Sequence, residues 1–163
     1  MRKQRFEPKL VRQLNGWFKD TSTTGIAYRL RPQQGSKGYQ HIDILVDGPG
    51  HYIGIECKSV TEPATKKIYF SEYFTTDAKG VHQIVRIDEF LHDSGRQGIC
   101  AIELHDDKHF ETRFVPWQVV SDIYYSHVKG IEFETVREWP QFRRVKGVFN
   151  FDECLDALSA RKG

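Results

Sequence analysis

The sequence predicts an α/β fold, and two patterns of apolar residues indicate it. Apolar residues recur at helical spacing over residues 5–19 and again over residues 81–91. Between these stretches, the turn formers at 47–50 separate the apolar runs 42–46 and 52–58, and strand alternation places Ile42, Ile44 and Val46 on one face. The predicted order is helix, strands, helix, strand, strand, helix, which places a sheet between helices.

The N-terminal half supplies a helix, a strand, a loop and a hairpin. Residues 5–19 form the first helix, with Pro8 in the first turn, where proline is tolerated. Residues 26–31 alternate and are predicted to form a strand. Residues 32–40 contain a proline and two glycines, so we expect a mobile loop before the hairpin at 42–58.

The C-terminal half supplies the remaining elements. Residues 67–70 are predicted to form a short strand, 81–91 a helix that ends near Gly95, and 99–104 a buried strand. Strand 112–115 ends at a proline, and the helix after it ends at Gly130. Residues 131–136 alternate and are predicted to form another strand. Asn150 and Glu153 resemble the capping box of a last helix.

Length and composition indicate one soluble domain over residues 1–163. The chain has 163 residues, 39% hydrophobic and 28% charged, which is ordinary for a globular protein with a full core. No apolar run is long enough to span a membrane, and the basic start lacks the apolar region of a signal peptide. Cys57, Cys100 and Cys154 stand singly without a CxxC pair, so we expect reduced thiols in the cytoplasm.

Charged residues interrupt the hairpin at three positions. Asp43 lies within the first strand, and Glu56 and Lys58 lie on one face of the second, roughly 7 Å apart at their Cα atoms. If the strands pair, Asp43 can reach the same point. Carboxylates suit a hard cation such as Mg²⁺, and a neighbouring lysine can orient a water or stabilise phosphate charge. The alternative is a surface ion pair worth under about 1 kcal/mol.

Basic residues concentrate at the N-terminus. Residues 1–38 contain nine Lys or Arg and two acidic residues, whereas the remainder contains 15 basic and 20 acidic residues. This distribution favours a phosphate-binding surface beside an acidic metal site, although a solvated basic arm has the same composition. The phosphate-binding residues predicted within this segment are Arg2, Lys3, Arg5, Arg29, Arg31 and Lys37.

The spacing of Asp43 from Glu56-Cys57-Lys58 resembles the core of the PD-(D/E)xK nucleases. The wider ordered set resembles the Holliday junction resolvases of that superfamily, of the archaeal Hjc type and the bacterial RecU type. Its segments, within roughly residues 5–120, are FEPKLVRQL, GSKGYQHIDILV, YIGIECKS, KKIYF, HQI, GICAIEL and FVPWQVV. The resemblance implies a restriction-endonuclease-like fold, a mixed central sheet flanked by helices. Ile42 replaces the family's proline, which supplies no ligand.

The resemblance also implies a metal centre. Glu7, Asp43, Glu56 and the backbone carbonyl of Cys57 would hold Mg²⁺, with Mn²⁺ as a substitute, and Lys58 would position the attacking water. Without the resemblance, Glu7 is an acidic residue at a helix N-terminus, a position that the helix dipole favours.

Two polar residues are assigned to the site by the same resemblance. Ser36 would lie near the scissile phosphate, with Lys37 as a phosphate contact, and Gln83 would support the site from the second helix. The alternative interpretations are an idle loop for Ser36 and an ordinary helix surface for Gln83.

The implied function is Mg²⁺-dependent, structure-specific cleavage of four-way DNA junctions in recombination and repair. A two-fold homodimer is expected, because a symmetric junction needs two cuts. The core would span about residues 5–120, and an extension over about 130–163 has no functional interpretation. We expect a cytoplasmic protein, nucleoid-associated, or in the host cytoplasm if phage-encoded.

Two alternatives to a resolvase remain open from the sequence. One is a restriction or repair nuclease of the same superfamily that acts on linear duplex. The other is a non-catalytic protein that binds branched DNA. No P-loop or GxGxxG motif is present, so no nucleotide cofactor is expected.

Overall fold

The computed structural model describes residues 6–30, 42–61, 66–106 and 109–160. Six of the predicted DNA contacts lie outside these residues and stay predictions: Arg2, Lys3, Arg5, Arg31, Ser36 and Lys37. The loop predicted at 32–40 also lies outside them.

The described residues form a mixed central sheet with helices on both faces. The helices are α1 (Phe6–Asp20), α2 (Phe70–Tyr73), α3 (Gln83–Ser94), α4 (Trp117–Tyr125), α5 (Phe133–Arg137) and α6 (Phe151–Ala160). The strands are β1 (Ile26–Arg29), β2 (Ile44–Gly48), β3 (His51–Thr61), β4 (Lys67–Tyr69), β5 (Gln97–His105), β6 (Phe110–Pro116), β7 (Gly130–Glu132), β8 (Gln141–Phe142), β9 (Arg144–Val145) and β10 (Val148–Phe149).

The main sheet has six strands in the order β1-β2-β3-β5-β6-β8. Strands β3 and β5 are parallel, because α3 and the segments before it carry the chain back across one face. The other neighbours are antiparallel. The predicted mixed α/β fold is confirmed, and the predicted hairpin forms between β2 and β3 with Ile44 opposite Ile55.

The sheet separates two hydrophobic clusters. On one face, Leu10 and Leu14 of α1 pack with Phe151 of α6 against the sheet. On the other face, Ile84 and Ile87 of α3 pack with residues of α4 and β5. The segment after residue 130 therefore belongs to the core, because it supplies α6 and the edge strand β8.

The predicted strand at 131–136 is wrong. Only β7 is extended, pairing with β4, and the chain then turns into α5. Ile131 and Phe133 alternate with glutamates, which mimics a strand. Phe133 and Val136 are both buried, however, and their spacing of three residues suits one face of a helix.

Asn150 precedes α6 as predicted, but its side chain does not form the predicted capping box. Its Oδ1 accepts a hydrogen bond from the Arg143 backbone N–H at 2.8 Å, and its Nδ2 donates to the Gln141 carbonyl at 2.9 Å. The side chain therefore fixes the two ends of the β9–β10 hairpin to each other. The predicted start of the helix is right, but the asparagine side chain bonds to the backbone of residues 141 and 143 and not to the helix.

None of the helices within the described residues is long and apolar enough to cross a membrane. The three cysteines are unpaired and all are buried.

Strand β6 offers a direct test of how far along the strand the core extends. Phe114 is fully buried and its ring stacks on Phe142 with centroids 4.8 Å apart, whereas Phe110 is 64% exposed. We expect Phe114→Ala to lower the free energy of unfolding by about 3–5 kcal/mol, through lost burial and a residual cavity. Phe110→Ala is the matched control, with an effect of about 0.5 kcal/mol. Urea denaturation measures both, and equal effects would contradict this packing.

Candidate active site

Asp43 and Glu56 meet where β2 begins. Asp43 lies in a bend one residue before β2, and its Oδ2 accepts a hydrogen bond from the Cys57 backbone N–H at 2.8 Å. Because the bend precedes the strand, Ile42 packs on the α3 side of the sheet and Ile44 on the α1 side. The predicted placement of both isoleucines on one face is therefore wrong.

Glu56 is buried in the middle of β3, with 2% of its surface exposed. Its Oε2 contacts Lys58 Nζ at 2.9 Å and accepts a hydrogen bond from Gln83 Nε2 at 3.0 Å. Its Oε1 has no hydrogen-bond partner among the described residues. A buried acceptor without a partner costs about 1–3 kcal/mol, so this oxygen is suited to an external ligand.

Burial makes this pair of carboxyl groups hard to ionise. Burial and then repulsion from the Glu56 carboxylate raise the pKa of Asp43 to about 7. Burial also raises the pKa of Glu56. The pKa of Lys58 is raised as well, because attraction to Glu56 outweighs the opposite effect of burial on the ammonium. The lysine is therefore charged, and the carboxylates favour a further positive charge beside them.

Glu7 lies in the first turn of α1, where it forms an ion pair with Arg29. Arg29 Nη2 is 3.0 Å and Nε 3.2 Å from Glu7 Oε2. Burial and then the nearby charge of Asp43 raise the pKa of Glu7, so the protonation of this carboxyl is coupled to that of Asp43. Within the described ranges, no three Asp, Glu, His or Cys side chains are already arranged as a metal cage.

The residues present fit a hard divalent cation. Asp43 and Glu56 bring two carboxyl groups together, and the pKa of each is raised. One buried Glu56 oxygen has no partner in the part of the chain that the structure describes. Mg²⁺ binds through one or two carboxylates and keeps several waters, so a complete protein cage is not required.

Lys58 packs against the ring of Phe74, a contact that the sequence did not indicate. Its Nζ lies 4.3 Å from the centre of the Phe74 ring, and 13% of its side chain is exposed. Phe74 follows α2, in a stretch that has weak periodicity. His82 accepts a hydrogen bond from the Ile84 N–H at the start of α3 and stacks on Tyr124.

A second polar cluster on the α1 face was also missed. Glu103 of β5 is buried and forms a salt bridge with Lys9. It also contacts His105 Nε2 at 2.6 Å and accepts a hydrogen bond from Ser59 Oγ at 3.1 Å. The cluster attaches the first turn of α1, which carries Glu7, to the sheet. The sequence offered one signal for this cluster, a glutamate inside a strand that was predicted to be buried.

Comparisons with known proteins identify the fold. No protein-family model matches the chain, and a search of the curated proteins also finds no match. Among solved structures, the chain is similar to Hjc from Archaeoglobus fulgidus, a Holliday junction resolvase from an archaeal hyperthermophile. The match covers 85% of this chain and 89% of that chain, with 19% identity and a TM-score of 0.52. The two proteins share a fold. The predicted resemblance to archaeal-type resolvases is thereby confirmed for the architecture.

The raised pKa of Asp43 predicts how the stability of the metal-free protein depends on pH. The carboxyl titrates near 3.8 when unfolded and near 7 when folded, so its stabilising contribution is lost as pH rises through about 7. Between about pH 5.5 and about pH 8, the free energy of unfolding of the wild type should fall by on the order of 2 kcal/mol more than that of Asp43→Asn. Urea unfolding in EDTA measures this difference, and identical pH slopes would contradict it.

Proposed function

We propose that this chain is a Mg²⁺-dependent DNA endonuclease that resolves four-way junctions. One observation carries the proposal: a buried Glu56 carboxylate, with one oxygen unpartnered among the described residues, lies beside Asp43 and Lys58 where β2 begins. The fold shared with a protein described as a Holliday junction resolvase supports the choice of substrate. The chemistry would be phosphodiester hydrolysis by water.

Asp43, Glu56 and the Cys57 carbonyl would hold the cation, and Mn²⁺ would substitute for Mg²⁺. A cation bound there lowers the pKa of a water and neutralises charge on the leaving oxygen. Gln83 holds the Glu56 carboxylate through Oε2, leaving Oε1 for the ligand. The Asp43 carboxylate is held by the Cys57 N–H, which fixes the distance between the two acids.

Lys58 would act on the phosphate or on the attacking water. Its ammonium has three donors, and contacts to Glu56 and to the Phe74 ring fix its position. A fixed cation beside the scissile group stabilises the charge that develops in the transition state.

Glu7 would add a third carboxylate once Arg29 releases it. The ion pair between them is partly exposed, so it costs little to break. A DNA phosphate is a suitable new partner for the guanidinium, because arginine binds phosphate in the same two-pronged way as carboxylate. DNA binding would thus complete the metal site.

A two-fold homodimer would place two such sites on one junction, whose own symmetry is two-fold. Selectivity would come from the shape of the branched DNA, with Ser36 and Lys37 contacting the backbone. Binding should weaken with salt because phosphate contacts dominate it. The expected location is the cytoplasm, associated with the nucleoid or, for a phage-encoded chain, within the host.

A cleavage panel tests the substrate. A labelled four-way junction, a flap and a linear duplex of equal sequence are incubated with the protein and Mg²⁺. The proposal predicts paired, symmetrically placed nicks in the junction alone. Equal cutting of the duplex would instead indicate a restriction or repair nuclease. Junction binding without cutting, in either Mg²⁺ or Mn²⁺, would indicate a non-catalytic binder.

A further inference from the structure

The β9–β10 hairpin is a short projection that the proposed chemistry does not use. Its turn, Lys146-Gly147, has φ values of 53° and 84°, as expected for a tight two-residue hairpin turn. The segment 141–149, QFRRVKGVF, contains three basic residues and no acidic one.

The hairpin cations are exposed and free of carboxylates. Arg143, Arg144 and Lys146 are all exposed, and none of them forms a salt bridge with any described residue. Other arginines of the same structure are in salt bridges: Arg29, Arg86, Arg96, Arg113 and Arg137. The hairpin therefore keeps its positive charge available to a partner.

The hairpin also holds one of these charges in a fixed direction. The Arg144 guanidinium lies 4.3 Å from the centre of the Phe149 ring, and its Nη1 donates to the Gly147 carbonyl at 2.8 Å. The Phe149 ring in turn stacks on Phe142, with centroids 5.1 Å apart. Packing against the core limits the freedom of the hairpin, so less entropy is lost when it binds.

The sheet register places Phe142 of β8, just before the hairpin, level with the residue that follows Lys58 in β3. Ser59 follows Lys58 in β3, and its partner in β5 is Glu103. Glu103 is opposite Thr112 of β6, and Thr112 is opposite Phe142 of β8. Three strand spacings separate β3 from β8, about 15 Å.

We infer that the β9–β10 hairpin is a docking surface for the phosphate backbone of a duplex arm leading into the active site. The spacing of about 15 Å between β3 and β8 corresponds to roughly four base pairs along a duplex. The contact is independent of base sequence, because the three side chains are cations on a hairpin segment that contains no acidic residue. The inference rests on the proposed nuclease function and gives the segment after residue 130 a role in binding.

The test is junction binding over a range of salt concentrations, in a Glu56→Gln background that prevents cutting. The double variant Arg143→Gln/Lys146→Gln removes two charges but keeps the Arg144 packing on Phe149. Its Kd should rise roughly tenfold, and the slope of log K against log salt should fall by about 2 between about 50 and about 200 mM.

Two controls separate charge from structure. Arg143→Lys keeps the charge and should bind within about twofold of the parent. Lys19→Gln removes an exposed cation at the last turn of α1, about 20 Å from its first turn, and should also stay within about twofold.

The outcomes distinguish this inference from the proposed function. If wild type binds and cuts junctions but the double variant keeps the parent affinity and slope, the docking surface alone is refuted. Unchanged affinity with an altered oligomeric mass would instead assign the hairpin to a protein contact. If wild type neither binds nor cuts DNA, the proposed function fails and the docking surface fails with it.

Discussion

Glu56→Gln should reduce junction cleavage by at least about 10³-fold, the largest effect expected of any single substitution here. The change preserves the shape of a buried side chain and removes the charge that would hold the cation. The amide can still accept the hydrogen bond from Gln83. Single-turnover cleavage of a labelled four-way junction, with protein in excess, measures the rate.

Glu132→Gln is the matched control for charge removal. Glu132 is an exposed glutamate paired with Lys67 at 3.2 Å, outside the site. Its cleavage rate should stay within about twofold of wild type, because exposed ion pairs contribute little. Thermal unfolding in EDTA should show that Glu56→Gln is folded, since a neutral amide is cheaper to bury than a carboxylate. A Glu56→Gln protein that cuts within tenfold of wild type would refute the metal site.

Lys58→Ala should lower cleavage by about 10²–10³-fold while junction affinity stays within about threefold of wild type. The ammonium is the only cation found beside Glu56 among the described residues, and it is mostly buried. It is therefore placed to act on the reacting group and contributes little to docking of the DNA arms. Single-turnover cleavage and fluorescence anisotropy separate the two effects.

Lys58→Met and Lys67→Ala complete this experiment. Lys58→Met retains apolar packing on Phe74, so it should fold like wild type and cut as poorly as the alanine variant. Lys67→Ala removes a partly exposed lysine of β4 and should cut normally. A collapse of junction binding in both Lys58 variants would show that Lys58 docks phosphate or supports the fold. Normal cleavage by both Lys58 variants would exclude a role for Lys58 in the reaction.

Local periodicity was sufficient to predict the elements that carry the site. The α1 stripe, the β2–β3 hairpin and the end of α3 at Gly95, where φ is 73°, all follow from spacing and turn chemistry. Asp43 and Glu56 stood out because charged residues interrupted apolar strands. Such interruptions are visible without any knowledge of distant contacts.

Long-range partners could not be predicted in the same way. Glu103 and Lys9 are 94 residues apart in sequence, and Glu7 and Arg29 belong to different elements. Arg29 was predicted to contact DNA, but it holds Glu7 in the free protein. Phe74 lies under Lys58 only because α2 and α3 return across the sheet. Their partners depend on tertiary packing, which local patterns do not encode.

Metal-dependent cleavage of a four-way junction by the wild-type protein tests the central proposal most directly. The labelled junction is incubated with protein in Mg²⁺, in EDTA, and in EDTA followed by excess Mg²⁺, beside a linear duplex of the same sequence. The proposal predicts paired nicks in the junction that disappear in EDTA and return with Mg²⁺, with the duplex intact. Undiminished cutting in EDTA, or no cutting in any divalent metal, would contradict the proposal.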